Sequence, residues 1–387
     1  MTFFELGMRE LTNIMTEPLA SANSRLIPYE DLVSCQVAFI DCKLPGSERK
    51  LNYSIIGPGV TQSADQFVNL AEPHGFALGV AAMPHGVTNN LHFHYTAEVF
   101  MIYRGEWTFR WGPDGKDGEI TGRAGDTLSI PTWVFRGFTN TGPDDSWIFT
   151  MLGQDESGGV VWHPKILANA AEHGLYLNRD NMLVDTSAGA PMPSDDELIT
   201  PLTDDEIASL PSYTFAQMRE RLVTADELVW SSTALLDNVI SGHQSELAPV
   251  IGFGISEDRT AEAKIRNAHG FSLEYMRIAP GQEVGPFRIS SKQVLIVREG
   301  ALEVTLGRGE QTDSALALPW STFSVPADSW RTFRSVGDEP VLMSVTTAGD
   351  ARSIIEWDPA ITDTALAANL GRDPNGYLAP ASLLPKG

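Results

Sequence analysis

The residues best suited to chemistry are His92, His94 and Glu98, in the stretch His92-Phe93-His94-Tyr95-Thr96-Ala97-Glu98. Side chains alternate along a β-strand, so two histidines two apart share a face. Leu91 before them and Val99-Phe100-Met101-Ile102-Tyr103 after Glu98 place the set within β-structure rather than on a loop. Two imidazoles and one carboxylate form a facial donor set for a divalent first-row metal, with up to three positions left for water, substrate or dioxygen. A His-x-His pair alone is weak, because two polar side chains on one strand face is the commoner meaning. The surrounding frame adds the weight.

Gly86 lies six residues before His92, and Gly105 lies seven after Glu98. Further on, Gly125-Asp126-Thr127-Leu128-Ser129-Ile130-Pro131 leads to Asn140. These residues resemble the two motifs of the cupin superfamily, G-x5-H-x-H-x3-4-E-x6-G and G-x5-P-x-G-x2-H-x3-N. The first motif is matched at every position. The second departs at two: Trp133 stands where the family has Gly, and Arg136 where it has a fourth ligand, His.

A search for internal similarity decides the architecture. Shifted by 195 residues, the chain falls on itself without gaps. His74-Gly75-Phe76-Ala77-Leu78 meets His269-Gly270-Phe271-Ser272-Leu273, Arg136 meets Arg331, and Trp162-His163-Pro164 meets Trp357-Asp358-Pro359. With one residue of slippage, Arg25-Leu26 matches Arg221-Leu222. The chain is a duplication of a β-rich unit of about 140 residues. Each copy shows short apolar runs broken by Gly, Pro and Asp turns, the pattern of an antiparallel jelly-roll.

The expectation is an all-β protein of two tandem jelly-roll (cupin) barrels, with short helices in the linker and termini. Its parts are an N-terminal arm (1–24), a first, metal-bearing domain (25–182), a linker (183–220) and a second domain without metal ligands (221–387). Thr203-Asp204-Asp205-Glu206 begins one linker helix, with carboxylates where the helix dipole favours them, and Thr214–Leu222 holds another. Ala168–His173 and Leu366–Leu370 are expected to turn helically after each barrel. The arm is expected to pack on a partner subunit, so a homo-oligomer is anticipated.

The duplication supplies its own control. Phe287, Ile289 and Gln293 stand at the repeat positions of His92, His94 and Glu98. None is a good ligand for a hard or borderline cation, so the barrel itself does not demand histidines there. Arg136 and Arg331 recur together, and a guanidinium cannot ligate a metal. Two readings of Arg136 stand: a partner for Glu98 inside the barrel, or a fork onto a substrate carboxylate or enolate. Strand parity sets Glu98, Phe100 and Ile102 on one face and Val134, Arg136 and Phe138 on another, so Phe100, Ile102, Val134, Arg136 and Phe138 are candidate substrate contacts. His74 and His269 share a repeat position and are expected to be structural. His85 belongs to a surface turn, and His163 could add a ligand only if its segment folds back.

The net charge of −23 argues against nucleic acid and anionic membrane surfaces as partners, since both require basic patches. An anionic small molecule would then need a local cation. No run of 18 apolar residues spans a membrane and no early apolar run has signal-peptide length. Cys35 and Cys42 make no metal-ligand spacing and fit reduced thiols in the cytoplasm. The resemblance extends over about 25–168 and 221–362, and implies a divalent metal on His92, His94 and Glu98: iron(II) first, with manganese, nickel or zinc as alternatives. It further implies a dioxygenase of the quercetinase, gentisate or diketone-cleaving kind, with Glu98 as ligand and base, on a small enolisable or phenolic substrate. A non-oxidative lyase, decarboxylase or isomerase, and a non-catalytic binding protein, are the alternatives.

Overall fold

The computed structural model describes residues 21–385; the N-terminal arm lies almost wholly outside them. Two β-barrels follow one another, each made of two facing antiparallel sheets. In the first, a seven-stranded sheet runs 222–223, 127–130, 98–104, 146–153, 76–83, 51–56 and 68–70, its last strand joined in parallel. It faces a five-stranded sheet of 161–162, 88–93, 136–140, 106–111 and 118–123. In the second barrel the sheets run 26–27, 322–325, 293–299, 341–348, 271–278 and 245–251, against 311–317, 302–308, 331–335, 283–288 and 356–357.

The 195-residue shift reads directly in these strands. Phe76–Met83 corresponds to Phe271–Ile278, Thr88–Phe93 to Glu283–Arg288, and Glu98–Arg104 to Gln293–Glu299. The repeat also runs past its legible sequence limits. Helices Pro164–Glu172 and Pro359–Ala367 match, as do the strand pairs 175–177 with 183–185 and 370–372 with 378–380. Each helix starts on a capping side chain, His163 in one and Asp358 in the other, with Pro at the first helical position where no N–H is missed. In the linker, Thr203 with Glu206 and Thr214 with Gln217 close capping boxes on helices Asp204–Ala208 and Phe215–Arg219.

The sequence domains exchange strands. Leu26–Ile27 precedes the first barrel but pairs with Thr322–Phe323 of the second; Leu222–Val223 precedes the second but pairs with Thr127–Leu128 of the first. Matching histidines secure both crossings. His74 Nε2 meets Ser324 Oγ at 2.7 Å, and His269 Nε2 meets Ser129 Oγ at 2.7 Å. The Nδ1 of each histidine faces a carbonyl two residues back, and burial holds both rings below the usual imidazole value. Between the large sheets lies a shared apolar layer in which Phe76 and Phe271 meet at 5.5 Å. Each barrel has its own interior core besides. Among the described residues no helix is long and apolar enough to cross a membrane. Cys35 and Cys42 are free and buried, and burial pushes the Cys42 thiol up to about 11.

Candidate metal centre

His92 lies in Thr88–Phe93 of the five-stranded sheet, His94 just beyond its end, and Glu98 opens Glu98–Arg104 of the opposite sheet. The site therefore bridges the two sheets inside the first barrel. One donor atom from each residue comes within 4.8 Å of the other two, and all three side chains are buried. His94 Nε2 stands 3.7 Å from Glu98 Oε2, a spacing an ion could fill.

The imidazoles are held in the tautomer a metal requires. His92 Nδ1 lies 2.7 Å from the Asn90 carbonyl and His94 Nδ1 lies 3.0 Å from the Gly159 carbonyl. A carbonyl can only accept, so each Nδ1 carries the proton and each Nε2 presents its lone pair. Neither Nε2 has a hydrogen-bond partner among the described residues. Burial first, then the Arg136 charge, holds both rings well below the usual imidazole value, so both stay neutral and able to ligate. The donor set fits a divalent cation.

An outer layer steadies His92. Asp41 Oδ2 accepts from the Asn90 backbone and side-chain nitrogens, each at 3.1 Å, and the Asn90 carbonyl in turn accepts from His92. Lys50, fully buried, pairs with Asp41 and donates to Asn89 Oδ1 at 2.7 Å. Burial pulls the Lys50 ammonium down while Asp41 pushes it up. Sequence parity missed Asn89, which stands three residues from His92 yet lines the same cavity. A β-bulge is the cause: Arg136 pairs with His92 and Phe138 with Asn89, so one strand spends an extra residue and re-aims Asn89. The second barrel repeats the irregularity between Val284 and Phe287. No local sequence signal marks Lys50.

Arg136 is fully buried and committed to Glu98, with Nη2 at 2.8 Å and Nε at 3.1 Å from Oε2. Burial pushes the Glu98 carboxyl up; the adjacent guanidinium pulls it back. Trp133 has φ +64°, and Asp328 at the same repeat position has φ +56°. The motif's glycine thus answers a left-handed backbone, which both copies keep without it. The cavity over the triad measures about 70 Å³, room for a few water-sized groups. Of the expected substrate contacts, Phe138 lines it; Phe100, Ile102 and Val134 are buried in the barrel core and do not. Parity gave their face but not their depth. Arg136 does not line it either, because Glu98 holds it in the wall. His163 stacks near Phe135 at 5.3 Å and caps its helix, so it adds no ligand. His85 Nδ1 meets the Gly142 carbonyl, away from the triad.

No family model matches the chain and no curated protein matches it. Solved structures do. The Lactobacillus farciminis oxalate decarboxylase formate complex aligns with TM-score 0.55 at 12% identity, over 93% of this chain and 96% of that one. Bacillus subtilis oxalate decarboxylase, a protein with Mn(II) centres, aligns with TM-score 0.52 at 12% identity, over 86% and 79%. Vicilin from hazelnut, Corylus avellana, aligns with TM-score 0.51 at 11% identity, over 87% and 88%. At such identity the likeness is one of fold, and with the jelly-roll sheets, the repeat and the motif frame it makes this chain a bicupin in architecture, two cupin barrels in tandem.

Proposed function

We propose that the chain is a metal-dependent cupin enzyme acting on a small chelating molecule in the first barrel, and that its reaction is a dioxygenase cleavage. The carrying observation is the triad: two Nε2 lone pairs and one carboxylate converge, with both Nδ1 protons fixed on carbonyls. A divalent ion bound there would supply Lewis acidity and open positions for a chelating substrate and a second small reactant. The protein's own part is to orient and exclude. Arg136 fixes Glu98 and balances its charge, which leaves Glu98 poorly placed to shuttle protons. Trp162, 5.1 Å from the His92 ring, and Phe138, 6.5 Å from it, wall off water. With few groups able to move a proton, chemistry driven by the ion and the substrate's own acidity suits the site better than general acid–base turnover.

A non-oxidative decarboxylation is the second reading, favoured by the fold shared with oxalate decarboxylases. Turnover of a panel of small enolisable and phenolic acids, with iron(II)- and manganese(II)-loaded protein in air and under argon, separates them. Loss of turnover under argon is the expected result. Undiminished carbon dioxide release without oxygen would establish the second reading instead.

A further inference from the structure

The layer between the two barrels is closed at one end and open at the other. At the closed end aromatic rings fill the seam. Trp147 and Trp320 stand 5.6 Å apart, Tyr29 lies 5.2 Å from the first and 5.4 Å from the second, and Arg104 stacks on Trp320 at 5.3 Å. At the other end the 195-residue shift puts Leu342 in place of Trp147, and Gly125 stands where Trp320 does. Two indoles are thus left out. A groove of about 210 Å³ opens there, walled by Gly125 of the first barrel, by Leu228 and Trp230 beyond the crossing strand, and by Leu342 of the second barrel.

Two arginines line this groove, Arg277 and Arg298, where the closed end has Ala82 and Tyr103. Arg277 and Glu299 both pair with Leu342, from strands on either side of it, and Val297 pairs with Met343. Arg298 is therefore the extra residue of a bulge, which re-aims its side chain. Its guanidinium reaches the first barrel: a Cβ built on Gly125 would lie 3.3 Å from Arg298 Nη1. Arg277 lies over the Trp230 ring at 3.8 Å.

Neither guanidinium is spent. Among the described residues neither makes a hydrogen bond. The carboxylates nearest them are Glu299, 3.6 Å from Arg298 Nε, and Glu246, 3.9 Å from Arg277 Nη1, both beyond bonding reach. Asp126, joined to the groove through Ala225, accepts from the Ala225 and Arg123 backbone nitrogens instead. The Arg298 side chain is 17% exposed and that of Arg277 45%, so a molecule in the groove can reach both. In a chain with 27 basic against 50 acidic residues, two unspent cations in one groove make a local exception that favours an anion.

We propose that this groove binds a small aryl carboxylate, at a site separate from the metal centre. A guanidinium matches a carboxylate as a two-pronged fork; Arg298 supplies the fork and Arg277 a second positive charge. The ring lies against Leu342, in the space that indoles take at the closed end. The groove has the volume of roughly seven waters in the liquid, enough for a single-ring acid. Its walls come from both barrels, so the bound acid fastens them together.

Calorimetry on the full chain at low salt tests this with benzoate, benzamide and acetate. Benzoate should bind with a dissociation constant of about 1 mM or less, and about tenfold tighter than benzamide, which has the ring without the charge, or acetate, which has the charge without the ring. Arg298→Gln should weaken benzoate about tenfold. Leu342→Trp, which rebuilds the closed wall and keeps both arginines, should abolish its binding. Glu299→Gln removes a competing carboxylate and should strengthen binding about twofold; its exposed position keeps the test decisive should either other variant not fold. His94→Ala should change nothing, since the triad takes no part. The proposal is overturned if benzamide equals benzoate, if benzoate still binds after Arg298→Gln or Leu342→Trp as it does to wild type, if Glu299→Gln weakens it, or if His94→Ala abolishes it and so puts the anion on the metal.

Discussion

The two barrels share a framework and differ in what fills it. Where the first has His92, His94 and Glu98, the second packs Phe287 and Ile289 into its apolar core beside a neutral Gln293. The difference extends to the wall. Gly79 lines the first cavity; its repeat partner is Glu274, wholly buried. A Cβ built on Gly254 would fall 2.0 Å from the Glu274 carboxyl carbon, so that carboxyl fills the second barrel where Gly59 and Gly79 leave the first one open. The site depends on side chains left out as much as on ligands put in.

The arginines teach the opposite lesson. Arg331 Nη1 donates to Gln293 Oε1 at 2.9 Å, and its other nitrogens meet the Ser329 and Pro326 carbonyls. Arg136 grips Glu98 in the same place. An arginine reaching across the barrel is common framework; the acid it meets in the first barrel is particular to it. Burial brings Arg331 down to about 9, against the opposing pull of the Asp328 charge.

The contrast breaks most visibly at the ligands. His94→Ala should reduce metal content from about one ion per chain to below about a tenth, while Gln293→Ala should leave it unchanged, by elemental analysis after purification without chelator. Equal behaviour would end the one-site account. The arginines should separate next. Arg136→Leu strands Glu98 as a buried charge and should cost about 3–5 kcal/mol in urea unfolding of the metal-free chain. Much of that loss should return when zinc is added, since the ion then faces the carboxylate. Arg331→Leu strands only neutral acceptors, about 1–3 kcal/mol, and zinc should not restore it.

A smaller effect tests the filled wall. Burial raises the Glu274 carboxyl to about 8 from an ordinary 4.5. The folded chain thus holds a proton the unfolded chain releases. Its contribution is fully present below about pH 4.5 and fades as pH rises through about 8, a difference of a few kcal/mol. Glu274→Gln, which stays neutral, should flatten that part of the stability profile. An unchanged profile would mean the carboxyl is ionised inside the barrel.

The duplication, the jelly-roll pattern and the triad are all legible in the sequence, because period-2 alternation and ligand identity are local properties. The missing ligands at Phe287, Ile289 and Gln293 needed only the 195-residue register. Less visible were the partners of those residues. Asn89 escaped because a bulge breaks the parity that sequence reasoning relies on. Lys50 and Asp41 escaped because the strand they brace, at Asn89 and Asn90, lies some forty to fifty residues further along the chain. Phe100, Ile102 and Val134 were given the right face and the wrong depth, since alternation fixes direction but says nothing of distance along the barrel.

The sequence by itself determined that there are two copies, which one carries electron-pair donors, and that both keep an arginine at the same place, since each follows from residue identity at a fixed spacing. Only the tertiary structure decided that Arg136 is spent on Glu98, that Gly79 rather than a carboxyl borders the cavity, and that each copy lends a strand to the other. Those depend on which surfaces meet when separate strands close a barrel, and packing between residues distant in the chain leaves no periodic trace along it.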